Sequence, residues 1–287
     1  MSRVMEAISR SKENRSFRLR FLMGVIFVPL LVYLAHVGKF FFLGLVDLVL
    51  LLGILEFYRM MRKAGYQPYR AIGAGTTLAL TWYVYFGSAF YSNFLLTAVL
   101  ILIAILELFR EGGNFSVTHM AVTIFGVFYV GWLGTHLVFL RELPLRIGQP
   151  YSEGARYVLL PFFLAWSSDT AAYLAGRFFG KTKLMPRISP NKSLEGSAGA
   201  LIASPFVAWV AKVTFAPFLT TVDVVALGLI CGVASQLGDL VESMIKREAS
   251  VKDASSVIPG HGGLLDRFDS LLFAAPAVYY YLAIAVF

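Results

Sequence analysis

The chain has 287 residues, 58% of them hydrophobic and 15% charged, with a formal net charge of +8 and a mean hydropathy of +0.71. A soluble domain carries roughly 25% charged residues. Here long stretches hold no charge and short ones are crowded with it, which excludes one water-soluble globule; the basic residues gather on no soluble face, which excludes nucleic acid as a partner. The lone cysteine, Cys231, lies in an apolar run. It excludes a disulfide framework and reads as a small buried hydrophobe.

Apolar runs long enough to cross a bilayer recur at 21–37, 40–57, 71–87, 90–109, 117–140, 157–179, 194–215, 222–241 and 268–287. The expected fold is all-α: a polytopic membrane helix bundle of about nine transmembrane helices, forming one integral membrane domain over residues 1–287. Only Gly38 and Lys39 separate the first two runs, so they form a tight helical hairpin. The first run reads as an anchor, since a second follows at once and no small-residue cleavage site stands between them. With the N-terminus in the cytoplasm, 20 of the 25 Lys and Arg residues fall in cytoplasmic segments. By the positive-inside rule that sets the N-terminus in and the C-terminus out, in a cytoplasmic (inner) membrane. The arm at 1–20 is basic; as a topology signal it needs no further role, although anionic lipid would also attract it.

Two segments placed on the cytoplasmic side carry the chemistry, 166–199 and 239–269. In the first, Asp169, Tyr173 and Arg177 share one helical face. Ser189-Pro190 reads as a helix start, with Ser189 as cap and Lys192 one turn in. Free N–H groups there, beside Asn191 and Lys192, make a phosphate site or simply a capped helix after a basic loop. In the second, Gln236, Asp239, Glu242, Ser243 and Lys246 recur at three- and four-residue spacing, a polar stripe on an otherwise apolar helix. Lys246-Arg247, Lys252-Asp253, the turn Pro259-Gly260-His261-Gly262-Gly263, and Asp266-Arg267-Phe268-Asp269 follow. The glycines permit a turn that aims N–H groups at an anion. Asp239 and Asp266, with Asp269 or Asp169, would supply hard oxygen ligands for Mg²⁺, and Lys246, Arg247, Lys252 and Arg267 would hold phosphates. The alternative is a salt-bridge network that closes the mouth of the bundle.

Elsewhere Asp47 stands alone in mid-span, and Glu56 with Arg59 and Glu107 with Arg110 read as self-paired at helix ends. His36, His119 and His136 have no metal-ligand spacing and read as satisfied by local hydrogen bonds. His261 is set apart by its glycines alone, with turn stabilisation and proton transfer both open.

The run from Ser243 to Arg247, then Lys252-Asp253, then Pro259 through Asp269 resembles the C-terminal signature of the phosphatidate cytidylyltransferase (CDP-diacylglycerol synthase) family. Gln236-Leu237-Gly238-Asp239, Ser168 through Tyr173 and Ile188 through Lys192 are similar to it too. Ala254 stands where that pattern would carry serine. The specific resemblance covers roughly the last 120 residues. It implies transfer of CMP from CTP to phosphatidic acid, giving CDP-diacylglycerol and pyrophosphate, with Mg²⁺ required and a second cation or a homodimer compatible. It implies Asp239 and Asp266 at the metal, Asp269 and Asp169 as further ligands or orienters, and Lys192, Lys246, Arg247 and Lys252 at phosphates. Ser189, Asn191, Arg177, Arg267 and His261 complete the expected substrate-binding set. Rival readings are a CTP-dependent polyprenol or phytol kinase, which would release CDP, and a cation-coupled transporter, which would show broken helices in matching halves.

Overall fold

The computed structural model describes residues 24–87, 89–111, 117–252, 254–255 and 263–287. The basic arm at 1–20, Asp253 and the turn at 259–262 with His261 lie outside the described residues. Among those described there are nine helices: α1 Gly24–Val37, α2 Lys39–Lys63, α3 Arg70–Tyr85, α4 Ala89–Leu108, α5 Val117–Ile147, α6 Gly154–Phe179, α7 Leu194–Thr214, α8 Thr221–Glu248 and α9 Leu265–Tyr281. Each matches one apolar run of the sequence. Seven, α2 and α4 to α9, have the length and apolarity to cross a membrane. The helix α3 has 16 residues, short of the roughly 20 that span a hydrocarbon core.

Helix ends follow local chemistry. At the start of α8, Thr220 and Asp223 form a reciprocal capping box. Between α1 and α2 the chain turns on Gly38 alone, at φ +65°, and a Cβ there would strike the Arg141 guanidinium. That is the expected tight hairpin, and glycine is required in it both for its backbone angle and for space. Outer faces carry large apolar side chains, as on α7, where Ile202, Phe206, Trp209 and Val213 are exposed. In a bilayer those faces meet lipid rather than water. Inside, α6, α7, α8 and α9 pack against one another, and α9 also leans on α5. Phe268, at the start of α9, packs edge-on against Phe27 and Phe162. Cys231 is a buried free thiol, as its apolar run predicts.

The expected helix start at Ser189-Pro190 is not what forms. Ser189–Ser193 is a strand, β2, paired antiparallel with β1, Lys183–Met185. The helix begins at Leu194, where the apolar run begins, and Ser193 caps it by accepting from the Gly196 N–H at 3.1 Å. Serines occur at both positions; the cap falls to the one adjoining the apolar run. Lys192 therefore stands on a strand before the helix rather than one turn inside it.

Asp47 is not alone either. The Thr81 hydroxyl donates to it at 2.5 Å and the Trp82 indole at 2.9 Å, which ties α3 to α2. Glu107 does pair with Arg110, at 3.0 Å, and also accepts from the Tyr69 hydroxyl. His36 and His136 contact carbonyls one turn back, as expected.

Candidate active site

The C-terminal half of α6, the start of α7, the hairpin and the polar stripe of α8 enclose a cavity of ≈ 450 Å³. Asp169, Tyr173 and Arg177 line it from α6, Asn191 and Lys192 from β2, and Gln236 and Asp239 from α8. The shared face of Asp169, Tyr173 and Arg177 is thus real, and the Arg177 guanidinium donates to the Tyr173 hydroxyl at 3.3 Å. Lys192 reaches across to Asp239, Nζ to Oδ2 2.7 Å, with both side chains partly open at 25% and 34% exposure. Neither needs the other for burial, so the pair can be exchanged for a ligand.

Behind this opening the stripe turns inward. Glu242 is fully buried and pairs with Lys246, which also donates to Asp266 Oδ1 at 2.8 Å. The ammonium bridges α8 and α9 between two carboxylates. Asp266 Oδ2 accepts from the backbone N–H groups of Ala254, at 3.0 Å, and Gly263, at 2.6 Å. Both Asp266 oxygens are thereby engaged, and the carboxylate holds together Ala254 and Gly263, nine positions apart in sequence. Ala254 contributes its main chain, so this contact does not depend on a serine there.

Asp269 lies one turn further into α9. Gly238 holds the two helices together at this level: a Cβ there would come 2.5 Å from the Asp269 carbonyl oxygen. This approach sets Asp239, next in sequence, within electrostatic reach of Asp269, and Asp169 reaches both. The Ser270 hydroxyl donates to Asp169 at 2.9 Å and so links α9 to α6. Three carboxylates within electrostatic reach of one another are stabilised by a cation or a proton. Among the described residues no three acidic or histidine side chains already converge on one point as a ligand cage. Mg²⁺ does not need such a cage, since it is commonly held by one or two carboxylates with water and substrate phosphates completing its shell. The donor set fits that pattern.

Arg247 donates from Nε to the Ile188 carbonyl at 3.0 Å, fastening the hairpin to α8. Lys252 and Arg267 are exposed at the same end of the bundle, and Ser189 lies at the start of β2. His261 lies outside the described residues.

Glu56, expected to pair with Arg59, belongs here instead. It is 2% exposed, accepts from the Ser255 hydroxyl at 2.5 Å and from the Leu265 N–H at 2.8 Å, while Arg59 is exposed. A carboxylate at the first turn of α9 meets an otherwise unpaired donor and the positive end of the helix dipole. Tyr129 is a second residue the sequence reading missed. Its hydroxyl is buried and, among the described residues, has no hydrogen-bond partner, although Glu242, Asp269 and Asp239 lie within electrostatic reach. It sits on the π-helical turn Val127–Trp132 within α5, a local widening often found at functional sites. Nothing in its apolar neighbours signals this, whereas Glu242 lies openly on the stripe.

The chain belongs to the cytidylyltransferase family, whose model matches residues 18–285. It is 33% identical to a phosphatidate cytidylyltransferase of Synechocystis over 92% of this chain and 96% of the relative. It is 32% identical to the enzyme of that name from Bacillus subtilis, over 92% and 97%. A Staphylococcus aureus protein of the same name is 43% identical across 57% of this chain and 59% of its own. The family is one of nucleotidyltransferases, and the bundle described above is an integral membrane member of it.

Proposed function

We propose that the protein transfers CMP from CTP to phosphatidic acid, releasing pyrophosphate and leaving CDP-diacylglycerol in the membrane. The observation that carries this reading is the Lys192–Asp239 pair, an exchangeable cation and carboxylate at a cavity where three spans and the hairpin meet. A phosphatidate oxygen attacks the α-phosphorus of CTP in line with the departing β-phosphate; a new P–O bond forms as the bond to the pyrophosphate breaks. The attacking phosphate is already an anion, so no strong base is required. The work is to bring two polyanions together and to stabilise the leaving group.

In this reading Lys192, Arg177 and Asn191 bind phosphates at the cavity, with Arg247, Lys252 and Arg267 at its rim. Mg²⁺ would be held by Asp239 with Asp269 and Asp169; Asp266 would join after releasing one of its present partners. When bound, the metal neutralises charge on the transferring phosphates. Lys246 keeps Glu242 and Asp266 in place. The polar end of the bundle is read as facing the cytoplasm, where CTP is, with the acyl chains remaining in the bilayer.

The test is purified protein in detergent with CTP, Mg²⁺ and phosphatidic acid. Pyrophosphate release that depends on the lipid is expected. Release of CDP with a phosphorylated alcohol would transfer the chain to the lipid-kinase reading, and no turnover by folded protein would refute both.

A further inference from the structure

At the turn between α2 and α3, apart from the cavity just described, the chain encloses a second and open cavity of ≈ 660 Å³. Arg62, Arg70 and Arg110 line it together with Tyr66, Tyr69 and Leu106. It shares no lining residue with the catalytic cavity. Its frame is built: the Tyr69 N–H donates to Thr123 at 3.0 Å, and Arg110 lies 4.7 Å over the Tyr69 ring while donating to Glu107 and Gln67. Tyr66 donates to Glu248, the last residue of α8, at 2.6 Å, so the cavity stands at the same end of the bundle as the polar stripe.

The carboxylates at its rim are already taken, Glu107 by Arg110 and Tyr69, and Glu248 by Tyr66. Among the described residues Arg62 and Arg70 pair with no carboxylate, and the Arg70 Nε is buried with no hydrogen-bond partner. A buried guanidinium N–H left unpaired is costly, and a cavity beside it is where its acceptor belongs. Phosphate oxygens match a guanidinium fork better than any other common anion. Leu108 and Phe109, at the end of α4 beside Arg110, are 74% and 78% exposed and offer an apolar flank.

We propose that this cavity is a non-catalytic binding site for a phosphate group, supplied by the headgroup of an anionic phospholipid whose chains lie along the end of α4. The phosphate is gripped by Arg62 and Arg70, and Arg110 stays with Glu107 as part of the wall.

Thermal unfolding of the full-length protein in a neutral detergent reads this out without turnover. Three probes are compared: dioctanoyl phosphatidylglycerol, inorganic phosphate and zwitterionic dioctanoyl phosphatidylcholine. Phosphatidylglycerol is expected to raise the midpoint and phosphatidylcholine not to. In Arg62→Gln/Arg70→Gln the concentration needed should rise about tenfold or more, the loss expected for a charge-assisted contact. Asp239→Asn should respond like the wild type, which separates this site from the catalytic one. Stabilisation by inorganic phosphate alone would keep the phosphate site and move its source from lipid to a soluble anion. An unaltered response in the double variant, an equal response to phosphatidylcholine, or no response to phosphatidylglycerol or inorganic phosphate overturns the proposal. If the double variant does not fold, Arg62→Gln alone, at an exposed position, must still weaken the response several-fold.

Discussion

The bundle buries charge at both ends, in opposite ways. At the end where α1 turns into α2, Arg141 is 1% exposed, and its guanidinium donates to the carbonyls of Ala35 at 2.7 Å, Tyr151 at 3.1 Å and His36 at 3.4 Å. The Tyr151 ring lies 4.1 Å beneath it, and the Tyr151 hydroxyl donates to Glu142. At the other end Lys192, Asp239, Lys246 and Asp266 meet mostly through side chains, beside a cavity. Main-chain partners cannot be exchanged without unfolding a turn, whereas side-chain ion pairs can open to admit phosphates. The first arrangement closes a structure; the second is poised for ligands. Counting Arg141 among loop cations, as a charge tally does, misplaces it: it is a structural bolt between α5 and the first hairpin.

The largest effect is expected where the two behaviours overlap. Lys246→Met would leave Glu242 and Asp266 facing each other with no cation, and breaking a buried pair from one side costs about 3–5 kcal/mol. The expected outcome is loss of both turnover and thermal stability, read by activity and unfolding in the same detergent. Next comes Asp239→Asn at the open pair. Loss of a charge placed for the reaction should lower turnover by about 10²–10³, with the midpoint of unfolding nearly unchanged because the site is already partly solvated. Turnover within twofold of wild type would remove Asp239 from the machinery. Arg141→Met inverts that pattern. It strands buried carbonyls at about 1–3 kcal/mol each, so stability should fall while turnover per folded molecule holds. A variant that kept its stability but lost turnover would collapse the distinction between the two ends.

Much of this was legible in the sequence, for definite reasons. Apolar runs gave nine helices, because a segment in lipid must satisfy its own backbone. The stripe from Gln236 to Lys246 was visible because helical periodicity collects Asp239, Glu242 and Lys246 on one side. Periodicity within one helix says nothing of what lies opposite, however. Asp47 meets α3, and Glu56 meets the start of α9, across 34 and 209 positions of sequence. Tyr129 is one aromatic among many until the fold buries its hydroxyl within electrostatic reach of the carboxylates. The hairpin at 183–193 is not legible in the sequence because Ser-Pro fits a helix start and a strand start equally well, and only pairing with β1 decides between them.

The smallest expected effect tests whether Glu56 belongs with the closed end in kind although it stands at the open one. Its two acceptors hold Ser255 and the first N–H of α9, so its work is to anchor Ser255 to the start of that helix. Glu56→Gln keeps one carbonyl oxygen for the Leu265 N–H and presents an amide to Ser255, whose oxygen can accept. What is lost is the charge at the helix start, worth about 0.3–1 kcal/mol, up to about 2 kcal/mol when partly buried. A stability decrease in that range with turnover within about threefold is expected, measured as unfolding midpoint and initial rate on one preparation. Glu56→Ala removes both acceptors and strands a buried N–H, so it should fall further, by about 1–3 kcal/mol. If Glu56→Gln instead abolished turnover at full stability, the carboxylate would be acting by its charge on substrate or metal, and the site would extend from α8 and α9 to α2.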